Sequence, residues 1–407
     1  MQAQLRIAAG VILAVSLLMG DEPVPERNRQ PYAGIDWAKV QHVQGTTHAH
    51  VNNQERLDRV HRDGLRFLTV TNYYPSAPYW PLREVRSGQF RPQQAHGAMR
   101  NGKWISGPID WNALIADPKE GWLGEIPEEF RTHVPFKVGE RVFPRIPAGI
   151  LEAPNAEHHG FADTGAHINS PGSTFASGTF DVKRRYLLEK KGFARGSGRP
   201  WRDVYKDMLA ELICPEGGGI VINHPIWSKL KQPFVLGMLD FDPRVLGMEI
   251  FNHSCVKGRP NASCAENEAL WDGILATGRQ CFGFFVPDWQ HCFEGVWMGR
   301  CVLLVDEFGR DACLRAYRNG AFYGALLGDR LRFTKLAVTA KGIEVALDKP
   351  ARIVILTEKG IVSQDEGRGL GWEFPEPKPV FVRVRVEHES GERLYSQPTM
   401  LGPAPKR

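Results

Sequence analysis

The sequence predicts an α/β protein: a barrel of alternating strands and helices over residues 35–328, then a small antiparallel β domain over 329–402. Three observations predict it. Short apolar runs bounded by Gly and Pro alternate with stretches of helical periodicity through most of the chain. Beyond about residue 330 the pattern changes to alternating apolar and polar positions with no helical stretch. His, Asp and Glu recur at the ends of the apolar runs, where barrel enzymes place their active sites.

LRFLTVTN (65–72) reads as a buried strand ahead of a loop rich in Pro and Tyr. WRDVYKDMLAELI (201–213) reads as a helix, and GGGIVINHP (217–225) and RVLGMEIFN (244–252) as strands. NEALWDGILATG (267–278) is a helix stopped by Gly278, and QCFGFFVPD (280–288) is the strand after it. ACLRAYRNG (312–320) is a helix with a glycine at its end. Strand–helix alternation implies parallel pairing, and a barrel is its natural closure. Residues 76–148 form an insertion rich in Trp, Pro and Gly. Loops of that length are lids or binding loops, and Trp80, Trp104, Trp111 and Trp122 predict either an apolar lid or a small satellite core. LRFTKLAVTAKGIEVALDKPARIVILTEKG and VFVRVRVEHESGERLYS, with a turn at Ser390-Gly391, make up the terminal β domain.

Composition narrows the function. At 42% hydrophobic and 24% charged the chain is a folded globular protein. A net charge of +5 without a Lys/Arg block or an aromatic-basic stripe excludes a nucleic-acid footprint. Basic residues near a pocket would still favour an anionic substrate. Arg6, the apolar run Ile7–Met19 and the polar exit Gly20-Asp21-Glu22-Pro23 predict a signal peptide over 1–20 and a periplasmic or extracellular protein. The run is short for a membrane span. No Ala-x-Ala site follows it, so an uncleaved anchor is the alternative and the one membrane association expected; a buried N-terminal helix or strand is the plain alternative. The seven cysteines contain no CxxC, which argues against a Cys-based zinc site. Cys255 and Cys264 are close enough to bridge in an oxidising compartment, and most of the others read as small buried apolar residues.

The chemistry lies in where the ligand-type residues fall. His48 and His50 are two apart in a strand, so both imidazoles point to one side and can reach one ion. Glu152 follows Ile150-Leu151, His167 leads Ile168-Asn169, His224 ends GIVIN, and Asp288 ends CFGFFVP with His291 close behind. A single His beside an apolar strand is more often structural; the recurrence at successive strand ends carries the case. His42, His61, His96, His133 and His388 read as ordinary surface or loop residues.

In this order these residues resemble the PHP (polymerase and histidinol phosphatase) superfamily, and more closely its metallohydrolases that include carbaryl-hydrolysing esterases. The matching pieces are GTTHAHV (45–51), LTVTN (68–72), AGILE (148–152), AHINSPG (166–172), VINHPIW (221–227), GMEIFN (247–252), FFVPDWQH (284–291) and LRAYRNGAFYG (314–324). The resemblance covers about residues 40–325, the insertion apart. It implies a distorted (β/α)7 TIM-like barrel and a dinuclear site for two divalent ions. His48, His50, Glu152 and Asp288 would hold the first ion, and Glu152, His167 and His224 the second, with Glu152 bridging. His158 and His159 compete with His167. Asp288 and His291 would be the catalytic pair, His291 (or Tyr73) donating a proton, and Glu249 and Asn252 would support the pocket floor. Mixed imidazole and carboxylate ligands suit Zn, Mn or Fe, and the implied substrate is a small phosphoester or a carboxylic or carbamic ester. The sequence departs from the family at Asn72-Tyr73, where Asp-His is usual, at Arg56, where a third-site His is usual, and in the two-residue gap between Asp288 and His291. A dinuclear site with Arg56 supplying positive charge is consistent with these departures. The rival reading is an exported binding protein that has lost catalysis.

Overall fold

The computed structural model describes residues 26–51, 54–71, 98–100, 103–104, 145–175, 180–181, 200–255, 260–288, 299–328 and 331–403, without the side chains of 98–104, 180–181 and 260–265. Its strands are β1 (Gln41–Ala49), β2 (Phe67–Val70), β3 (Ala98–Arg100), β4 (Lys103–Trp104), β5 (Leu151–Glu152), β6 (Glu157–His158), β7 (His167–Asn169), β8 (Phe180–Asp181), β9 (Ile220–Asn223), β10 (Val245–Asn252), β11 (Phe282–Val286), β12 (Gly299–Val305), β13 (Phe322–Leu326), β14 (Phe333–Val338), β15 (Gly342–Thr357), β16 (Gly360–Glu373), β17 (Phe381–Glu387), β18 (Arg393–Ser396) and β19 (Thr399–Met400). The helices are α1 (Gln54–Arg62), α2 (Trp201–Ala210), α3 (Gln232–Leu239), α4 (Pro260–Leu275) and α5 (Arg310–Asn319).

The buried strands read in the sequence are present: β2, β9, β10 and β11 bury every residue, as strands covered on both faces do. The helix expected at 312–320 is α5, which buries Cys313, Leu314, Ala316 and Tyr317 on one face. It ends at Gly320 in the left-handed conformation (φ 70°), whose N–H reaches Ala316 and Tyr317 carbonyls.

The expected TIM-like barrel is not formed. Among the described residues strand outweighs helix, 39% against 19%, and the strands lie in large mixed sheets. One sheet of eleven strands runs β14-β15-β17-β18-β13-β12-β1-β2-β5, with β16 on β15 and β19 on β17; a five-stranded sheet runs β11-β10-β9-β7-β6. The physical reason is the use of β1's two edges. One edge pairs in parallel with β2, but the other pairs antiparallel with β12 from Gln41 to Gly45. β12 takes that edge over Gln41–Gly45, the segment after β11 meets β1 at the Ala49–Asp288 bridge, and no closed ring forms among the described residues. Among the described residues the backbones of the two sheets meet near strand ends, through a bridge between Ala49 and Asp288 and a hydrogen bond from Glu157 N–H to the Thr71 carbonyl. Apolar side chains of both sheets, among them Val43, Phe67, Val221, Leu246, Phe284 and Leu303, pack together between them.

The described residues 331–402 form antiparallel strands whose sheet is continuous with β1 through β18, β13 and β12. They also cover the exposed edge of the five-stranded sheet. The Gln397 side chain accepts from Gly283 N–H (2.7 Å) and donates to the Gly283 carbonyl (2.8 Å), standing in for a neighbouring strand on β11. Tyr395 stacks on Phe285 at 4.7 Å. Arg383 of β17 is buried over the Trp271 ring of α4 at 4.9 Å and donates to both Asp272 oxygens (2.7 and 2.8 Å) and to Glu268 (3.3 Å).

Cys214, Cys281, Cys301 and Cys313 are buried. The side chain of Cys264 lies outside the described residues, and with it the Cys255–Cys264 pairing. No helix among the described residues is long and apolar enough to cross a membrane. The 1–20 segment, Asn72, Tyr73, His291 and the insertion's tryptophan side chains lie outside the described residues.

Candidate metal centre

The carboxyl ends of the parallel strands β1, β9 and β11 converge, as in open α/β sheets that bind ligands beyond those ends. β1 contributes His48, and His50 follows its last residue; their Nε2 atoms lie 3.3 Å apart, on the same side, as residues two apart in extended chain are. Backbone pairing delivers Asp288 between them: its N–H bonds the His48 carbonyl (3.0 Å), and its carbonyl accepts from His50 N–H (3.3 Å). His224 follows the last residue of β9. His167 opens β7, which runs antiparallel to β9 and pairs His167 with Asn223, bringing the two imidazoles to 4.9 Å. His224 (φ 23°) and Asp288 (φ 57°) both have positive φ, a strained backbone of a kind concentrated at functional sites.

Glu152 is not among these residues; Glu157 stands where it was expected. Glu152 pairs in register with Leu68, two residues before Val70 at the end of β2, so it falls about 7 Å short of the strand end. It lines a separate cavity of about 1000 Å³ with Asp306, Arg310 and Arg315. From Glu152 the chain runs on through 153–156, where buried Asn155 donates to the Thr47 carbonyl (3.0 Å) and Thr69 Oγ1 (3.0 Å) and accepts from Ser170 N–H (2.8 Å). That polar anchor sets the next acidic residue, Glu157, at the convergence point.

Glu157 directs one oxygen into each of two groups. Its Oε2 lies 3.0 Å from His50 Nε2 and 3.3 Å from His48 Nε2, and Asp288 Oδ1 lies 3.2 and 3.3 Å from the same two nitrogens. Its Oε1 lies 2.7 Å from His167 Nδ1 and 3.5 Å from His224 Nε2. Each of the trios His48–His50–Glu157, His48–His224–Asp288 and Glu157–His167–His224 places its ligand atoms within 4.8 Å of one another. Of the competitors for His167, His158 is turned away to Ser170 Oγ (3.1 Å), and His159 stacks on the His167 ring at 4.8 Å.

These residues fit divalent ions. Donors around a tetrahedral ion bound at about 2.0–2.1 Å stand about 3.3–3.4 Å apart, which matches the 3.0–3.3 Å spacings of the first group. Glu157 Oε2 and Asp288 Oδ1 are buried without a hydrogen-bond partner, an arrangement that is costly unless a cation faces them. Glu249 completes the support. Fully buried, it accepts from His48 Nδ1 (2.7 Å), His224 N–H (2.8 Å) and Asn252 Nδ2 (2.8 Å). The first of these bonds orients His48 so that Nε2 faces the cluster.

The electrostatics agree. Burial alone would depress the His48 imidazole, but Asp288, Glu249 and Glu157 outweigh it and hold it well above the ordinary histidine range. Burial likewise opposes His224, which its bond to Glu157 and the other carboxylates raise. For the carboxyls burial acts upward and is overcome. His48 foremost pulls Glu157 well below its usual range and Asp288 down to about 2. A raised histidine stabilises the fold below its unfolded pKa, and that contribution is lost as pH rises through the folded value. A depressed carboxyl stabilises above its unfolded pKa and is lost as pH falls through the folded one. The contribution of these four groups to the ion-free fold is therefore greatest between about pH 4 and 6.5. The surrounding carboxylates favour the protonated imidazole of His48, so loading Zn²⁺ is expected to release protons and to weaken as pH falls. Calorimetry in buffers of differing ionisation enthalpy reads that release, and zero release would show His48 to be neutral in the ion-free protein.

The arrangement is two histidine-containing groups sharing one carboxylate, which defines a candidate metal-binding protein. No protein-family model matches the chain, and no curated protein matches it. Among solved structures it is similar to a two-domain protein from Bacteroides vulgatus ATCC 8482 containing a "predicted PHP-like metal-dependent phosphoesterase", at 12% identity and a TM-score of 0.36 over 90% of this chain and 95% of that one. At that similarity the chemistry of the site has to decide the function.

Proposed function

We propose that this chain is a metal-dependent hydrolase of small ester substrates, phosphoesters first among them, and that it works outside the cytoplasm. The observation that carries the reading is Glu157, whose two oxygens serve two histidine groups at once. His48, His50, Asp288 and Glu157 would hold one ion, and Glu157, His167 and His224 the other. Zn, Mn or Fe suits that donor set. Ions held there supply Lewis acidity and activation of water near neutral pH. The protein's own part is to fix donor geometry. Glu249 orients His48 and the His224 backbone, Asn155 sets the approach to Glu157, and the Asp288–β1 pairing holds Asp288 between the two imidazoles. The order of motifs resembling the PHP superfamily supports the hydrolase class, and the kinship with carbaryl-hydrolysing esterases is the finer part of the proposal. His291 remains the proposed proton donor. Export rests on Arg6 and the apolar run Ile7–Met19.

Metal content of the protein recovered from the periplasmic fraction, with turnover of p-nitrophenyl phosphate, bis-p-nitrophenyl phosphate and p-nitrophenyl acetate, tests the reading and ranks the ester class. His48→Ala and His224→Ala are expected to abolish turnover and lower bound metal together. Full activity in either variant overturns the assignment, and bound metal with no turnover in the wild type identifies a binding protein instead.

A further inference from the structure

Trp227 stands three residues after His224, in the turn between β9 and α3. Its ring lies edge-on to the two imidazoles of the second ion group, 4.9 Å from His224 (77°) and 5.2 Å from His167 (70°). It is also 50% exposed; Trp227 and Ile361 are the two large apolar side chains exposed among the described residues. Ile361 lies on the β15–β16 hairpin, whereas Trp227 borders a cluster of buried titratable groups. The turn that carries it is tied at both ends, Ser228 N–H to the His224 carbonyl (3.0 Å) and Leu230 N–H to the Pro225 carbonyl (2.9 Å). Ser228 Oγ also contacts His224 Nδ1 at 3.2 Å. The indole is thus held in place beside the site while much of its surface stays in water.

A ligand site is typically an apolar wall with a few placed polar groups, and the indole and the ion groups stand in that relation. We infer that Trp227 forms the wall of a subsite for a flat aromatic substituent, so that the substrate is an anionic ester carrying an aryl group. The inference rests on the hydrolase reading above and names its substrate class. The charged end of the ester sits on the ion groups, and the aryl ring lies against the indole, where paired π systems favour offset or edge contacts.

The test compares phenylphosphonate with methylphosphonate, two non-hydrolysable anions that differ in the ring, by calorimetry on the metal-loaded full chain. The wild type is expected to prefer phenylphosphonate. Trp227→Ala should reduce that preference about fivefold while leaving methylphosphonate affinity and metal content unchanged, and Trp227→Phe should keep most of the preference. An unchanged preference in Trp227→Ala overturns the inference. So does loss of metal in both variants, which would make the indole only a prop for the imidazoles, and so does failure of the wild type to bind either phosphonate. The two readings fail separately. Absence of metal or turnover in the wild type removes the hydrolase, whereas turnover with an unchanged phenyl preference removes only the aryl subsite.

Discussion

Glu157→Gln is expected to lower ester turnover by on the order of a thousandfold and to reduce bound metal, whereas Glu152→Gln stays near wild type in both. The amide keeps the shape of the carboxylate but removes its charge. It also cannot present an acceptor oxygen to both groups, since one of its two positions is now an NH₂. The His167 and His50 contacts at 2.7 and 3.0 Å use opposite oxygens of Glu157, so either amide orientation breaks one of them. Glu152 lines a different cavity beside Asp306 and Arg315. Metal analysis and steady-state kinetics on the two variants decide between the residues, and full turnover in Glu157→Gln or its loss in Glu152→Gln would sink the assignment.

Arg383→Ala is expected to destabilise the fold by about 3 kcal/mol or more. The guanidinium is 1% exposed and holds Asp272 and Glu268 of α4 against β17. Truncation takes one cation from Glu268, at 11% exposure and still paired with Arg385, and empties the space over Trp271. Asp272 is 32% exposed and recovers part of its loss from water, which keeps the figure at the low end for a broken buried pair. Arg383→Met, which fills the space without charge, should cost less. Urea denaturation monitored by tryptophan fluorescence measures both, and a loss below about 1 kcal/mol in Arg383→Ala would show the cluster to be as weak as a surface pair.

The readable part of the site was that which depends on strand period alone. His48 and His50 share a face because they are two apart, and His224 and Asp288 lie just past strands whose apolar runs are continuous. The structure brings these four and His167 together. Glu157 directly precedes His158 and His159, yet the sequence pattern points to Glu152. Glu152 and Glu157 are both acidic residues near strand ends, and nothing local separates them. The pairing of Glu152 with Leu68, rather than with the end of β2, separates them. His291 lies beyond the described residues.

The same division holds for the fold. The sequence by itself determined the buried strands β2, β9, β10 and β11, the helix α5 with its Gly320 terminus, and the antiparallel character of the last strands, because burial on both faces, helical caps and two-residue alternation are local signals. Only the tertiary structure decided that the ring stays open. The apolar run Cys301–Val305 is the same in sequence whether it lies parallel or antiparallel to its neighbour, and its antiparallel pairing takes Gln41–Gly45 of β1, leaving the β11 segment a single bridge at Ala49. Pairing partners and register are long-range choices set by backbone hydrogen bonds, and those choices also put Glu157 rather than Glu152 between the histidines.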